Sequence, residues 1–339
     1  MSTSVFVSGA TGYIAQHVVK QLIAKGYKVV GTVRSAAKGD NLKANLNSEN
    51  FSYEIVEDIA VKGAFDEALK AHPEVTVFLH TASPFHFNVV DVEKDLLLPA
   101  VEGTKNALSA VKSFGPQIEK VVVTSSYAAI LTMEKQTKDY TYSEEDWNEI
   151  TWEQAKANPI AGYVGSKSFA EKAAWDFVKS EKPHFILSTV NPVYVFGPQA
   201  FDSEVAGTLN TSAEIINAVL KLSPDSEVPS TSGFYIDVRD VAEAHLVAFE
   251  NKDAQEQRLL LADGKFASQD ILDIVNENFV KDVAGKIPVG KPNSGSEITS
   301  ASAAINNEKT KKLIGHPFIG LKETVVDTIQ QILNVNGKL

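Results

Sequence analysis

Along residues 1–190, short apolar runs alternate with stretches whose apolar residues recur at helical spacing. This rhythm limits the possible folds more than any single motif does. Val5 to Val7 reads as a buried strand, Tyr13 to Lys25 as a helix with Ile14, Val18 and Leu22 on one face, and Lys28 to Val33 as a second strand. A helical stretch near Leu42, a strand over Phe51 to Val56, a helix around Phe65 to Leu69 and a strand over Val75 to Leu79 follow. A long helix over 89–113 and a strand over Val121 to Val123 continue the series. Strand, helix and strand in repetition imply right-handed crossovers and a parallel sheet covered on both faces. The expected fold is α/β, a doubly wound parallel sheet with a smaller C-terminal lobe.

Beyond Val123 the rhythm breaks into an acidic, tryptophan-containing loop over about Glu134 to Asn158, then resumes with a helix over about Ala161 to Ser180 and a strand over Phe185 to Val190. Segments richer in Ser, Pro and Asn come next. The expected division is a nucleotide-binding part over 1–190, with 232–270 returning to it, and a smaller substrate lobe built from 191–231 and 271–339.

Composition removes several classes of function. A net charge of -11 on 339 residues, with no block of Lys or Arg, argues against nucleic acid and anionic membranes as partners. Without cysteine there are no disulfides or thiolate metal sites, and the seven His show no paired metal spacing. No metal is expected. No apolar run reaches the roughly 18 residues that a spanning helix needs, and nothing before Val5 fits a signal peptide. The expected setting is cytoplasmic.

The stretch VSGATGYIA at 7–15 sits between the first strand and the first helix. A backbone that turns tightly and presents N–H groups to a pyrophosphate needs residues without side chains, and the helix N-terminus adds partial positive charge. An ordinary strand-to-helix turn would look the same. Twenty-two residues beyond Gly12, where a ribose-binding acid commonly stands, the chain has Arg34, with Lys38 one helical turn later. That pair suits a 2′-phosphate, or is simply a solvated pair of surface charges. Asp58-Ile59 and Thr81-Ala82-Ser83 also fall at strand C-terminal ends, where such sheets bind ligands, although each would serve equally as a helix cap.

Two further stretches carry reactive groups: Thr124-Ser125-Ser126-Tyr127 after the fifth strand, and Tyr163-Val164-Gly165-Ser166-Lys167 on the next helix. Spaced four apart, Tyr163 and Lys167 share a helix face, so the ammonium is expected to stabilise a phenolate and lower the tyrosine pKa from its reference near 10. Alone, that spacing more often marks a solvated face. Together with the serines it suits acid–base chemistry.

These segments resemble the extended short-chain dehydrogenase/reductases, and within them the dihydroflavonol-4-reductase-like branch. The likeness spans nearly the whole chain through GATGYIA, HTASPF at 80–85, VVVTSSYAA at 121–129, YVGSKSFAEKAAW at 163–175, NPVYVFGPQ at 191–199 and IDVRDVAEAH at 236–245. Their wording is similar to yeast ketone and aldehyde reductases of the methylglyoxal/isovaleraldehyde type. The resemblance implies a Rossmann fold and NADPH-dependent carbonyl reduction with Ser126, Tyr163 and Lys167 as the catalytic group. It further implies that Gly9, Ala10, Thr11, Gly12, Tyr13, Ile14, Arg34, Lys38, Asp58, Ile59, Tyr163, Lys167, Val195 and Ser212 contact NADP(H), with Thr81 and Ala82 beside them and the nicotinamide near Pro192. One departure stands out: many members carry a catalytic Asn on the helix before the fifth strand, where this chain has Pro99-Ala100-Val101-Glu102.

Ser83, Phe85, Tyr127, Val193 and Tyr194 are the expected walls of a pocket for a small carbonyl substrate, with core packing as the plainer role for Phe85 and Tyr127. The chain is expected to be a monomer or homodimer. A sugar-nucleotide epimerase or dehydratase using NAD, and a noncatalytic NADP-sensing regulator, are the other readings. Arg34 disfavours the first, and the retention of Ser126, Tyr163 and Lys167 together disfavours the second.

Overall fold

The computed structural model describes residues 3–83, 89–205 and 207–337. In chain order its strands are β1 (Ser4–Ser8), β2 (Lys28–Val33), β3 (Phe51–Ile55), β4 (Val75–His80), β5 (Lys120–Thr124), β6 (Thr141–Tyr142), β7 (Ile186–Pro192), β8 (Tyr194–Phe196), β9 (Ser232–Asp237), β10 (Arg258–Leu261), β11 (Gly264–Ala267) and β12 (Ala304–Ile305). Seven of them form one sheet in the order β10-β7-β5-β4-β1-β2-β3, with every pairing parallel. Strand order reverses between β1 and β4, so both strand ends open on the crevice where ligands bind in such sheets.

Alternation along each strand divides the apolar residues between two cores. Val5, Val7, Val29, Leu79, Val122 and Val190 pack with the helices Tyr13–Ala24 and Val238–Glu250. Phe6, Val30, Phe78, Val121 and Leu187 pack on the other face with the helices Asp66–Ala71, Leu98–Phe114 and Pro159–Glu181. No helix among the described residues is long and apolar enough to cross a membrane.

The smaller lobe holds its own sheet, β11-β9-β8, around Phe196, Tyr235 and Phe266, covered by the helices Thr211–Val219, Ser268–Asn278 and Leu321–Asn336. The segment 232–270 does not return whole to the large sheet. It gives helix Val238–Glu250 and β10 to that sheet, while β9 and β11 stay with the small one. Nor does 271–339 belong entirely to the lobe, because Ile314 and Phe318 pack into the core beneath the large sheet. β9 and β11 pair antiparallel although the helix Val238–Glu250 and β10 lie between them in the chain, and such a pairing leaves no mark in the periodicity.

The helix expected over 89–113 begins later and less regularly. A π-helical turn, Glu93–Leu97, precedes the α-helix Leu98–Phe114. Glu93 of that turn accepts a hydrogen bond from Trp152 Nε1 at 2.6 Å, which pins it to the acidic loop.

The Tyr13–Ala24 helix also grips the chain leaving β8. Tyr13 Oη donates to the Gly197 carbonyl at 2.8 Å, His17 Nε2 lies 3.0 Å from that of Pro198, and Lys20 Nζ donates to that of Ala200 at 2.6 Å. Their spacing of four and three residues puts all three on one helix face.

Candidate active site

The glycine turn closes β1 onto the neighbouring strand ends. Gly9 has φ +65°, a left-handed conformation, and a Cβ there would lie 2.9 Å from Ala82 Cα. Its N–H donates to Thr32 Oγ1 at 3.0 Å, and Ala10 N donates to the Thr32 carbonyl at 2.9 Å, tying the turn to β2. Sequence reading missed Thr32, whose only signal is a polar residue near the end of an apolar strand.

Gly12 is the N-cap of the first helix and offers no side chain to its N–H groups. The N–H groups of that first turn have no intrahelical partner by construction. A methyl-free turn, uncapped N–H groups and the positive end of a helix form a cradle that fits a pyrophosphate. The side chains of Arg34 and Lys38 are exposed, Arg34 just past the end of β2 and Lys38 in the first turn of the helix Ala36–Leu46. The donor set therefore fits NADP(H).

Other expected cofactor residues take varied positions. Thr81 Oγ1 donates to the Ser8 carbonyl, and Ala82 N donates to Ser8 Oγ at 3.1 Å, which locks β4 to β1 just past the sheet. Asp58 spends one carboxylate oxygen on Ala60 N at 2.8 Å, inside the turn after β3; the helix cap foreseen as its alternative is not what it makes, since the next helix starts only at Asp66. Ile59 packs over Gly103. Tyr13 commits its hydroxyl to Gly197, so its side chain serves the fold. Pro192 and Val195 are buried at the end of β7 and in β8, and Ser212 is half-buried near the start of the Thr211–Val219 helix.

The Pro159–Glu181 helix starts from Asn158, whose Oδ1 accepts from Ala161 N at 2.9 Å, and Pro159 sets its first turn. It presents Tyr163 and Lys167 to the C-terminal edge of β5. Tyr163 stands close enough to the Ser126 hydroxyl for it to alter the phenol's proton affinity, Ser126 being the residue where β5 turns into a short 3-10 segment. Ser126 Oγ also accepts from Ala128 N at 3.1 Å.

Lys167 shares the helix face of Tyr163 but turns its ammonium toward Ser83. Its Nζ donates to Ser83 Oγ at 2.9 Å and lies 5.9 Å from the centre of the Tyr163 ring. Burial raises the Tyr163 pKa above its ordinary value of 10, with the neighbouring Ser126 hydroxyl pulling down and the nearby Tyr194 adding to the rise. Burial also lowers Lys167, to about 8. Desolvation thus overrides the expected depression of the phenol. Ser83, expected at a ligand-binding strand end and in the pocket wall, is the hydrogen-bond partner of this lysine. Next to it His80 is buried, hydrogen-bonded to Ser8 Oγ at 2.9 Å, and held at about 4 by burial and the Lys167 charge, so it stays neutral at pH 7.

The pocket expectations divide. Tyr194 is 40% exposed and close enough to Tyr163 to affect its proton affinity, and Val193 is partly buried beside it. Tyr127 is a correction. It is 8% exposed, with its ring edge-on to Tyr142 at 5.6 Å and near Phe234 at 6.0 Å, so it belongs to the core. Its hydroxyl has no hydrogen-bond partner among the described residues; Gln136 is near enough to influence it but outside bonding geometry. Phe85 lies outside the described residues. The helix before β5 does carry an asparagine, Asn106, but its amide donates to the carbonyls of Ile59 and Val61, both at 3.0 Å, away from Tyr163.

The profile of the NAD dependent epimerase/dehydratase family matches residues 5–261. The NADPH-dependent methylglyoxal reductase GRE2 of Saccharomyces cerevisiae is 49% identical over 99% of this chain and 100% of its own length. The crystal structure of Gre2 from Candida albicans in complex with NADPH superposes with a TM-score of 0.96 at 56% identity, covering 98% of this chain and 99% of that one. That of yeast methylglyoxal/isovaleraldehyde reductase Gre2 complexed with NADPH gives 0.96 at 48% identity, covering 99% and 100%. With the profile spanning most of the chain and such relatives matching end to end, the chain belongs to the NAD dependent epimerase/dehydratase family, the extended short-chain dehydrogenase/reductases that its motifs point to.

Proposed function

We propose that the protein reduces small aldehydes and ketones to alcohols with NADPH, using Ser126, Tyr163 and Lys167. The observation that carries the reading is the nearness of the Ser126 and Tyr163 hydroxyls at the open edge of the sheet, with Lys167 one helical turn on and the glycine turn close by. Relatives named for this activity support it. When bound, NADPH supplies the hydride; the protein supplies orientation and charge.

The first helix turn after Gly12 would hold the pyrophosphate, and Arg34 with Lys38 the 2′-phosphate. Ser126 Oγ–H and Tyr163 Oη–H then donate to one carbonyl oxygen and stabilise the negative charge that grows on it. Tyr163 releases its proton from Oη to that oxygen. Its raised pKa suits this direction, because the phenol is fully protonated at pH 7 and donates without prior activation. Lys167 is mostly ammonium at pH 7, and its charge near the ring offsets that of the phenolate left behind. Arg34 weighs against an NAD-using epimerase. A cytoplasmic setting belongs to the same proposal.

The experiment is NADPH oxidation with a panel of aldehydes, ketones and UDP-sugars, followed at the absorbance of the reduced nicotinamide. Aldehydes or ketones should turn over and UDP-sugars should not. Tyr163→Phe, which keeps the ring and loses the proton, should abolish turnover while NADPH affinity stays within a few-fold. A Tyr163→Phe protein as fast as wild type would remove the catalytic assignment.

A further inference from the structure

One turn beyond Lys167, the same helix sends a carboxylate into the interior. The Glu171 side chain has 0% exposure. Its Oε2 accepts from Ser125 Oγ at 2.5 Å and from Asn191 Nδ2 at 2.6 Å. Its Oε1 accepts from Arg258 Nε at 2.6 Å and from Trp175 Nε1 at 3.2 Å. Thr189 Oγ1 lies 3.2 Å from Glu171 Oε1 and 2.8 Å from Asn191 Oδ1, sharing one proton between them. Asn191 Nδ2 also donates to the carbonyl of Ser126 at 3.2 Å. Arg258 is held in turn by the carbonyls of Glu144 and Asp146, at 2.8 and 2.5 Å, with its guanidinium 3.8 Å from the centre of the Trp147 ring.

Stability alone gives little reason for this arrangement. Taking two charges out of water offsets much of their attraction, and well-packed apolar side chains of similar volume often serve as well. A leucine at 171 would not, however, join three separate chain segments at one point. The carboxylate ties the helix of Tyr163 and Lys167 to the Ser125-Ser126 turn and to the Asn191-Pro192 end of β7.

We propose that Glu171 is a positioning residue for the reduction: through Ser125 and Asn191 it holds the Ser126 turn in register with Tyr163, so that both hydroxyls meet one carbonyl oxygen. This rests on the catalytic reading given above. Its cost, when lost, falls on the chemical step and not on binding, since misplacement of a reacting group by about 1 Å lowers rates about 100-fold.

The test uses the full chain. Ser125→Ala removes one of the bonds without adding bulk or charge, and should lower kcat about tenfold, as the loss of one hydrogen bond to a charged group implies. KM and the NADPH Kd from fluorescence titration should stay within twofold of wild type, and Ser125→Thr, which keeps a hydroxyl, should recover most of the rate. Glu171→Gln turns an amide donor toward Arg258 and Asn191 and should lower kcat about 100-fold. If that protein fails to fold, Glu171→Leu combined with Arg258→Met removes both charges at once; it should fold, bind NADPH and remain slow. Either Ser125→Ala or the double variant turning over within twofold of wild type would overturn the proposal. So would kcat, Kd and Tm of Ser125→Ala falling together with no recovery in Ser125→Thr. Tyr163→Phe run alongside separates the failures: if it stays active, the catalytic reading itself is wrong, whereas if it is dead and the other variants are normal, only the positioning role fails.

Discussion

The two glycines of the turn should respond to the same substitution in opposite ways. In Gly9→Ala the new residue must hold φ +65°, which costs a non-glycine residue about 1 to 2 kcal/mol. Its Cβ would lie 2.9, 3.0 and 3.3 Å from Ala82 Cα, Cβ and N. None of these atoms can rotate aside, because Ala82 N is held by Ser8 Oγ at 3.1 Å. Overpacking of this kind adds about 1 to 3 kcal/mol, for a total of about 2 to 5. Gly12 has an ordinary φ of −72° and ψ of 155°, and a Cβ there would meet only Gly9 O at 3.3 Å and Ala15 Cβ at 3.8 Å. Replacing an N-cap glycine by alanine costs about 0.5 to 1 kcal/mol, partly offset by the stiffer unfolded chain. Thermal unfolding should therefore show Gly9→Ala melting about 3 to 7 °C lower and Gly12→Ala within about 2 °C of wild type. NADPH titration should show Gly12→Ala at least tenfold weaker, since its methyl stands before the uncapped N–H groups. Equal Tm losses in the two variants, or a Gly9→Ala protein as stable as wild type, would refute the reasoning.

Arg34→Asp should raise the KM for NADPH far more than that for NADH, because a charge-assisted bond contributes about 1.5 to 3 kcal/mol and repulsion adds to its loss; an unchanged ratio of the two constants counts against the phosphate role. In a pH series, kcat/KM for reduction should fall as pH rises through about 8, where Lys167 passes from ammonium to amine while Tyr163, raised above 10, still holds its proton. A flat profile between pH 7 and 9 would mean that the Lys167 charge has no part in the rate-determining complex. Tyr127→Phe removes a buried hydroxyl that has no partner among the described residues, so Tm should hold or rise, and a fall of several degrees would show that the hydroxyl is hydrogen-bonded.

Local patterns carried much of the fold. The first strands alternate strictly enough to divide Val5 and Val7 from Phe6, and the glycine turn and the Tyr163–Lys167 spacing lie within single elements. Pairings across long sequence separations were not legible. Lys167 meets Ser83 across 84 residues, and Glu171 meets Arg258 across 87, only because β4, β5, β7 and β10 end side by side in an order that no strand's own pattern fixes. Tyr127 misled for a related reason. Its place after Ser126 suggested the sheet edge, but the acidic loop brings Tyr142 over it and β9 brings Phe234. The sign of the Tyr163 shift was also out of reach, since it depends on how much protein surrounds the ring and not on which residue stands four places away.

The grip of Tyr13, His17 and Lys20 on the carbonyls of Gly197, Pro198 and Ala200 bears on how the molecule gains and loses its structure. Tyr13 packs against the core beneath the large sheet and against that of the smaller lobe, and the chain crosses back through Ile314 and Phe318 before its last helix returns to the lobe. The lobes are therefore not separate folding units. Melting either one would strip apolar cover and backbone partners from the other, so partial unfolding at this seam is costly. The helix that begins at the glycine turn is held from both sides in a single cooperative body, and its N-terminus is set before any ligand arrives.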